Sequence, residues 1–379
     1  IISNHKKFRI QIIYTQINRD KNNKPTFTQH SYFLDSSTYF YCASLVKLPC
    51  SILALQKLNE MNIQGLDMNA RMFTDSTIAC HKKVTKDTSA KSGFPSMAQY
   101  IRRMLLVSDN LAFGRTYEFL TPDYIHTELV KRGYKNMRIV HRFDGGCTGD
   151  ANLFCNPIDF FDEKGNKLFE QKSSAAKKKY ENPIGTVKVG TSYVTSGGKK
   201  INEPKDFTNY NFMSLQNIND VLKNLVFLPS VPENKKFNLK ENDRKFLLKY
   251  LCMYPGESDY PRYGNRKEYY DSYKKYFLYG DSKKDITNKD VRIFNIVGQS
   301  YGFMVDCAYI VDFKTKSEFI LSAVIYANED EIINDGKYEY KSVALPYLSK
   351  LGTLFLEYEK KRKKKILPVL EEFKLENLK

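Results

Sequence analysis

The alternation of apolar and polar residues predicts a β-sheet built from both ends of the chain. Near the N-terminus, residues 8–17 and 26–33 are β-rich and flank a polar turn, which is typical of a hairpin. Near the C-terminus, residues 292–297, 301–313 and 318–327 predict three consecutive strands. Because the clearest strand patterns lie at opposite ends of the chain, we expect them to pair in one antiparallel sheet.

Helical patterns fill the middle of the chain. A helix is predicted to begin near Ser44 and end near Asn62, because its apolar residues recur every three or four positions. The polar triplet Ser108-Asp109-Asn110 interrupts the next helical pattern. The other predicted helices cover residues 96–106, 111–120, 122–133, 241–253 and 342–365.

The order of these elements predicts the fold class. We expect a mixed α/β (α+β) protein, in which an antiparallel sheet from both chain ends is flanked by helices and carries an inserted, mostly helical domain. The sheet domain is expected to comprise residues 1–63 and 288–379, and the helical domain residues 64–287. Residues 162–232 are polar and Lys-rich, and we interpret them as an irregular insertion.

Composition restricts the classes of partner. The chain has 379 residues, a formal net charge of +17 and 42% hydrophobic residues, so a sizeable core can form and global disorder is excluded. The positive charge favours nucleic acid as a partner, but the lysines are dispersed and no nucleic-acid-binding motif accompanies them. We therefore expect a well-solvated surface and no nucleic-acid partner. No apolar run is long enough to span a bilayer.

The cysteines and histidines predict neither a metal site nor a cofactor. The seven cysteines lack zinc-finger spacing, and the five histidines are spread along the chain without ligand spacing. We favour seven free, mostly buried thiols. A bridge between Cys147 and Cys155 is the alternative if the protein is exported.

One of five S-x-x-K motifs predicts a catalytic serine. Ser44 and Lys47 begin a predicted helix, where residues three apart share a face, so the amine is expected beside the hydroxyl. A serine hydroxyl is a poor nucleophile until a nearby base takes its proton. The helix N-terminus adds a positive dipole end and a free backbone N–H, which suit a developing oxyanion. The alternative is an N-cap serine beside a solvated lysine.

The triplet Ser108-Asp109-Asn110 favours the catalytic interpretation. It follows Ser44 in the chain and lies at a helix break, so a second hydroxyl and a carboxamide can face the same pocket. Ser108 is then a proton relay to the leaving group, and Asn110 holds Lys47 or a substrate amide. The alternative is a loop of cap-forming residues.

The motifs at Ser44 and Ser108 resemble those of class A β-lactamases and penicillin-binding proteins. The flanking segments 39–60, 104–120, 295–313 and 318–328 are similar to a related branch of serine hydrolases, often exported by Bacteroidetes-type bacteria. The resemblance covers most of the chain and is weakest over residues 162–232. It implies a nucleophile at Ser44, a base at Lys47 and a pocket between the sheet and the helical domain.

Two motifs depart from the family's pattern. The third motif has lysine first, to bind the substrate carboxylate, but this chain has Ile296-Val297-Gly298-Gln299. Arg292 shares the face of Ile296 two pleats away and is a doubtful substitute. Val297, Gly298 and Gln299 are still expected to bind substrate, with the Gln299 backbone N–H completing the oxyanion hole.

The second departure concerns the carboxylate that activates the deacylating water. The family has Arg-x-Glu on a loop, whereas this chain has Arg142-Phe143-Asp144, with Thr148 in place of the usual asparagine. Asp144 is therefore a candidate catalytic residue. The interpretation slightly preferred is a loop acid paired with Arg142 or His141, in which case deacylation is slow.

Three hypotheses follow for function. The first is a serine acyl-hydrolase that acts on a β-lactam or a cell-wall peptide. The second is a family member with impaired turnover that acts as a binding protein, supported by Ile296. The third, a nucleic-acid-binding protein, is supported by charge alone. For the first hypothesis we expect a monomer that is periplasmic, secreted or lipid-anchored, as the resemblance implies.

Overall fold

The computed structural model describes residues 1–143 and 146–378 of the chain. The strands are β1 Gln11–Arg19, β2 Pro25–Tyr32, β3 Arg71–Thr74, β4 Met137–Arg138, β5 Phe154–Cys155, β6 Ile158–Phe161, β7 Lys167–Gln171, β8 Ser174–Ala175, β9 Lys188–Val189, β10 Ser192–Val194, β11 Lys200–Ile201, β12 Lys205–Asp206, β13 Phe212–Met213, β14 Val291–Ser300, β15 Phe303–Asp312, β16 Ser317–Tyr326 and β17 Ile332–Ile333. The helices are α1 Lys47–Met61, α2 Met97–Val107, α3 Asn110–Leu120, α4 Pro122–Lys131, α5 Leu215–Val226, α6 Glu241–Cys252, the single turn α7 Tyr276–Tyr279 and α8 Leu345–Lys361.

The main sheet joins the two ends of the chain. Its strand order is β14-β15-β16-β1-β2, and every neighbouring pair is antiparallel. The N-terminal strand β1 pairs with the C-terminal strand β16, so that Ile13 lies opposite Ser322. The mixed α/β fold with a sheet from both chain ends is therefore confirmed.

Helices cover both faces of this sheet. Strands β15 and β16 are buried along their whole length, which explains why both are nearly continuous apolar runs. Helix α5 packs on β15 and β16, and α8 packs on β16 with the turn α7 beside it. Strand β14 is an edge strand, and its neighbours outside the sheet include α6 and the 3₁₀ turn Ala43–Val46.

Helix α5 lies inside the segment predicted to be irregular, so that prediction was wrong there. Ser214 caps the helix by accepting a hydrogen bond from the Asn217 N–H, and Leu215, Ile218 and Leu222 bury one face. The sequence contains the apolar pattern of this helix, but the polar, Lys-rich residues that precede it obscured the pattern. The division into a sheet domain of residues 1–63 and 288–379 and a helical domain of residues 64–287 remains a proposal.

The cysteine prediction was also wrong. Cys80 forms a disulfide with Cys147, so neither seven free thiols nor a bridge from Cys147 to Cys155 describes the chain. The remaining five cysteines are free and buried. Sequence spacing could not identify the pair, because 67 positions separate the two cysteines and only the fold brings them together.

Among the helices of residues 1–143 and 146–378, none is long and apolar enough to cross a bilayer.

Candidate active site

Ser44 lies in a tight turn that leads directly into helix α1. The 3₁₀ turn Ala43–Val46 precedes Lys47, the first residue of α1. Ala43 has a φ of 44°, a left-handed conformation that is costly for a residue with a Cβ and is concentrated at functional sites. Pro49 is tolerated as the third residue of α1, because backbone N–H groups of the first turn have no partner within the helix.

Lys47 is the centre of the site. Its Nζ lies 2.9 Å from Ser44 Oγ and 3.0 Å from Ser108 Oγ. It also contacts the Ser108 carbonyl oxygen at 2.5 Å and Asn110 Oδ1 at 2.7 Å. Ser44, Lys47, Ser108 and Asn110 therefore meet at one point, although more than 60 positions separate the two motifs.

Burial changes the chemistry of this amine. The Lys47 residue has 0% exposure, and this burial lowers the pKa of its amine to about 7, while the charge of Asp109 acts in the opposite direction. Near neutral pH a large fraction of Lys47 is therefore an uncharged amine, which can accept the proton of the Ser44 hydroxyl.

The turn at Ser108 is held by its own local interactions. Ser108 is the C-cap of α2 with a φ of 62°, and Asp109 caps α3 by accepting a hydrogen bond from the Ala112 N–H. Arg103 binds both Asp109 and Asp87, each at 2.8 Å. These contacts fix the turn and direct Ser108 and Asn110 toward Lys47.

At Gly298, strand β14 approaches the turn that contains Ser44. A Cβ at this position would lie 2.5 Å from the Cys42 carbonyl oxygen, so only glycine permits the observed contact. The residues on either side, Val297 and Gln299, line the space next to Ser44. Gly298 thus determines how closely the edge strand and Ser44 approach each other.

Ser44 lies between two cavities. The first, which we call the His141 cavity, has a volume of about 340 Å³ and is lined by Ser44, Asn110, His141, Tyr210, Gln299 and Tyr301, among others. The second, the Lys274 cavity, has a volume of about 370 Å³ and is lined by Ser44, Ser108, Tyr273, Lys274, Val297 and Gln299, among others. Gln299 borders both cavities, as Ser44 does.

Lys274 is a basic residue that lines a cavity with Ser44 and that sequence reasoning missed. It is 4% exposed, and its Nζ donates to the Leu105 carbonyl oxygen at 2.5 Å, in the last turn of α2. Burial, and then the charges of Lys275 and Lys47, hold the pKa of Lys274 well below its usual range. No local motif marks this lysine, because it belongs to a turn outside all three motifs.

The other two residues considered for the missing lysine lie away from the cavities. Ile296 has 0% exposure and belongs to the hydrophobic core. Arg292 binds Glu257 through two hydrogen bonds of 2.8 and 2.9 Å and packs on the Tyr254 ring. Arg292 is therefore no substitute for a lysine at position 296.

The loop beside the His141 cavity is anchored by Arg142 and the disulfide. Arg142 is buried, contacts His81 and the Phe154 carbonyl oxygen, and lies 3.6 Å from Glu118. Cys147 lines the cavity and is bonded to Cys80. Asp144, the predicted water-activating carboxylate, lies outside the described residues.

Cys80, His81 and Cys147 form a cluster of metal-ligand type, with one candidate ligand atom from each residue within 4.8 Å of the others. The two sulfurs are bonded to each other, so neither is available as a thiolate ligand. In this oxidised state the cluster does not fit a metal ion.

Comparison with known proteins shows that the N-terminal part of the chain is similar to a known family. A family model described as "Beta-lactamase enzyme family" matches residues 1–185. No curated protein matches the chain.

Similar solved structures include a halotolerant bacterial β-lactamase, with 12% identity, a TM-score of 0.48, and coverage of 94% of this chain and 96% of that chain. The β-lactamase from Sphaerobacter thermophilus has 9% identity and a TM-score of 0.47, and the match covers 95% of this chain and 92% of that chain. The β-lactamase from Desulfarculus baarsii has 10% identity and a TM-score of 0.47, and the match covers 93% of this chain and 94% of that chain.

Proposed function

We propose that this chain, whose residues 1–185 match the β-lactamase enzyme family model, is a serine acyl-hydrolase. Ser44 attacks the carbonyl of a β-lactam or a cell-wall peptide amide and forms an acyl-enzyme. The observation that supports this best is the position of Lys47 Nζ, 2.9 Å from Ser44 Oγ and 3.0 Å from Ser108 Oγ. An amine between two hydroxyls can pass a proton from one to the other.

Acylation uses these groups in order. Neutral Lys47 takes the Ser44 proton as Oγ bonds to the carbonyl carbon, and the carbonyl oxygen becomes an oxyanion. In this proposal the backbone N–H groups of Ser44 and Gln299 donate hydrogen bonds to the oxyanion and stabilise it. The C–N bond then breaks, and Ser108 delivers the proton from Lys47 to the leaving nitrogen. Asn110 keeps Lys47 in place through its 2.7 Å contact.

Lys274 brings a basic amine to the second cavity without a lysine at position 296, and an anionic group bound there would favour the protonated form of this amine. Its amine is buried beside Ser108 and Val297 in the Lys274 cavity. No Asp or Glu among the described residues lines that cavity, so an anionic substrate group would meet no nearby repulsion there. We therefore propose that the substrate carries an anionic group close to the reacting carbonyl.

A binding protein with impaired turnover is the second candidate. It is favoured by the lining of the His141 cavity, where the described part of the chain contributes no carboxylate to activate water. In such a protein the acyl-enzyme forms and persists.

We also propose that the protein is a monomer that works outside the cytoplasm, where it is periplasmic, secreted or lipid-anchored. The disulfide between Cys80 and Cys147 supports this location, because such bonds persist in oxidising compartments.

Labelling and hydrolysis together test the proposal. The purified protein should bind a fluorescent penicillin covalently and hydrolyse a chromogenic cephalosporin, and Ser44→Ala should lose both activities. Intact mass spectrometry with peptide mapping should locate the adduct at Ser44. A stable adduct without hydrolysis would favour the binding protein. No adduct on the wild-type protein over hours would refute the acyl-hydrolase.

A further inference from the structure

The segment that follows helix α8 packs against the turn between strands β1 and β2. In that turn, Asn23 Nδ2 donates to the Leu367 carbonyl oxygen at 3.0 Å, and Asn23 Oδ1 accepts from the Val369 N–H at 2.9 Å. Arg362 also donates to Asn18 Oδ1 at 2.7 Å, at the end of β1. Two distant parts of the chain therefore form one surface. We call this surface the basic patch, and it comprises Lys21, Lys24, Lys361, Lys363, Lys365, Ile366, Leu367 and Val369.

The cations after helix α8 alternate between two environments. Arg362 and Lys364 turn inward to the buried carboxylate of Glu359, at 2.9 Å and 3.5 Å. The residues that alternate with them are exposed and have no ion-pair partner among the described residues, namely Lys361, Lys363 and Lys365. Because the inward cations already compensate Glu359, the charge of the outward lysines is left to solvent or to a partner.

Nearby carboxylates leave the patch with a net positive charge. Asp20 is the single acid of the turn between β1 and β2, and its Oδ1 accepts from the backbone N–H groups of Asn22 and Lys24. Glu357, near the end of α8, binds Lys360 at 3.0 Å. The lysines of the patch outnumber these two acids, so an anionic partner would be attracted to this surface.

The aliphatic side chains of the patch are unusually exposed. Ile366 is 39% exposed, Leu367 59% and Val369 58%. Pro368 and Leu370 are buried and anchor the segment, so the exposed side chains are held in place. Single exposed aliphatic residues are common on protein surfaces, whereas contiguous ones mark interaction sites. A partner that fits this surface must be anionic and also offer an apolar region.

We propose that the basic patch docks the protein on an anionic phospholipid surface. The lysine amines then lie at the lipid phosphates, and Ile366, Leu367 and Val369 enter the boundary between headgroups and acyl chains. A nucleic acid or another soluble polyanion would use the lysines but leave the aliphatic side chains in water. The exposed aliphatic residues therefore favour a lipid surface over these partners.

Docking and the chemistry at Ser44 use different residues. No residue of the patch is among the described residues that line the His141 cavity or the Lys274 cavity. The patch adjoins the turn that leads into β2, one edge strand of the main sheet, whereas β14, the strand next to Ser44, is at the opposite edge. The inference therefore does not rest on the proposed function.

Sedimentation with lipid vesicles tests the role of charge. The full chain should pellet with vesicles of equal parts phosphatidylglycerol and phosphatidylcholine and stay in solution with phosphatidylcholine alone. Lys361→Glu/Lys363→Glu/Lys365→Glu should lower the affinity for the mixed vesicles about 10²-fold, because each lysine at an anionic surface contributes roughly fivefold. Lys177→Glu/Lys178→Glu/Lys179→Glu is the matched control, since it changes the net charge equally in an exposed run outside the patch. Its affinity should stay within about threefold of the wild type.

A second pair of variants tests the aliphatic side chains at constant charge. Leu367→Ser/Val369→Ser should weaken binding to the mixed vesicles about tenfold, because two partly exposed aliphatic groups no longer leave water on docking. Leu111→Ser/Val130→Ser is the control, because these residues have similar exposures of 54% and 51% and lie outside the patch. The control should bind like the wild type. Urea unfolding should give similar midpoints for all variants, because the replaced side chains are exposed.

Four results would overturn the inference. Equal pelleting with mixed and neutral vesicles would refute the role of charge, as would wild-type binding that does not weaken with added salt. Equal losses in the two lysine variants would show that only the net charge matters. Unchanged vesicle binding in Leu367→Ser/Val369→Ser, together with displacement of the wild type from vesicles by duplex DNA, would assign the patch to soluble polyanions.

Discussion

At the scale of single residues, the proposed activation of Ser44 depends on Lys47. An exposed lysine is charged at neutral pH and cannot take a proton, but burial lowers the pKa of Lys47 to about 7. Because the amine is buried, its hydrogen bonds go to four protein oxygens, which lie 2.5 to 3.0 Å from Lys47 Nζ. Sequence spacing predicted the neighbour but not its protonation state.

The rate of acylation should therefore depend on pH through Lys47. The amine must be neutral to act as a base, so the rate should rise with pH through about 7 and then level off. Pre-steady-state acylation measured from pH 5 to 9 tests this. Lys47→Arg, which stays protonated, should acylate about 10²–10⁴-fold more slowly at every pH. A flat profile in the wild type would contradict the base role.

Position 296 shows the limit of motif reasoning at this scale. Ile296 replaces the expected lysine, which suggested that no cation was available near the substrate. The structure brings Lys274 to the cavity from a turn outside the motif. Motifs record neighbours along the chain, whereas a charge acts through space.

At the scale of elements, the site depends on the contact between strand β14 and the turn before helix α1. Gly298 lies against the Cys42 carbonyl oxygen, one residue before Ala43. The sequence analysis predicted both elements and expected residues 297–299 to bind substrate. It could not predict that the absence of a side chain at 298 sets the distance between them.

Gly298→Ala should damage both stability and acylation. A Cβ 2.5 Å from backbone must displace the strand or the turn, and overpacking of this kind costs about 1–3 kcal/mol. Urea unfolding and acylation kinetics measure the two effects. Gly264→Ala is the matched control, because a Cβ there meets nothing within 4 Å. Equal behaviour of the two variants would show that the close approach is unimportant.

At the scale of the whole molecule, the disulfide joins the loop beside Ser44 to a distant segment. Cys80 and Cys147 are separated by 67 positions, so their bond restricts the unfolded chain strongly. It also fixes the loop next to Gly146, where a Cβ would lie 2.7 Å from the Cys80 carbonyl oxygen. The bond therefore contributes to stability and to the shape of the His141 cavity.

Loss of this disulfide should lower the free energy of unfolding by about 2–4 kcal/mol. Urea unfolding of Cys80→Ser/Cys147→Ser against the wild type measures the effect. Dithiothreitol should destabilise the wild type and leave the double variant unchanged. A wild-type protein that is insensitive to the reductant while free thiols appear would contradict this role.

The sequence by itself determined what depends on neighbours along the chain. These features are the hairpin, the helix after Ser44, the three C-terminal strands and the local pairing of Ser44 with Lys47, because periodicity and helix geometry act over a few residues. Only the tertiary structure decided the pairing of Cys80 with Cys147, the position of Lys274 and the packing of helix α5. Each of these depends on segments far apart in sequence, and only the folded backbone specifies their distance.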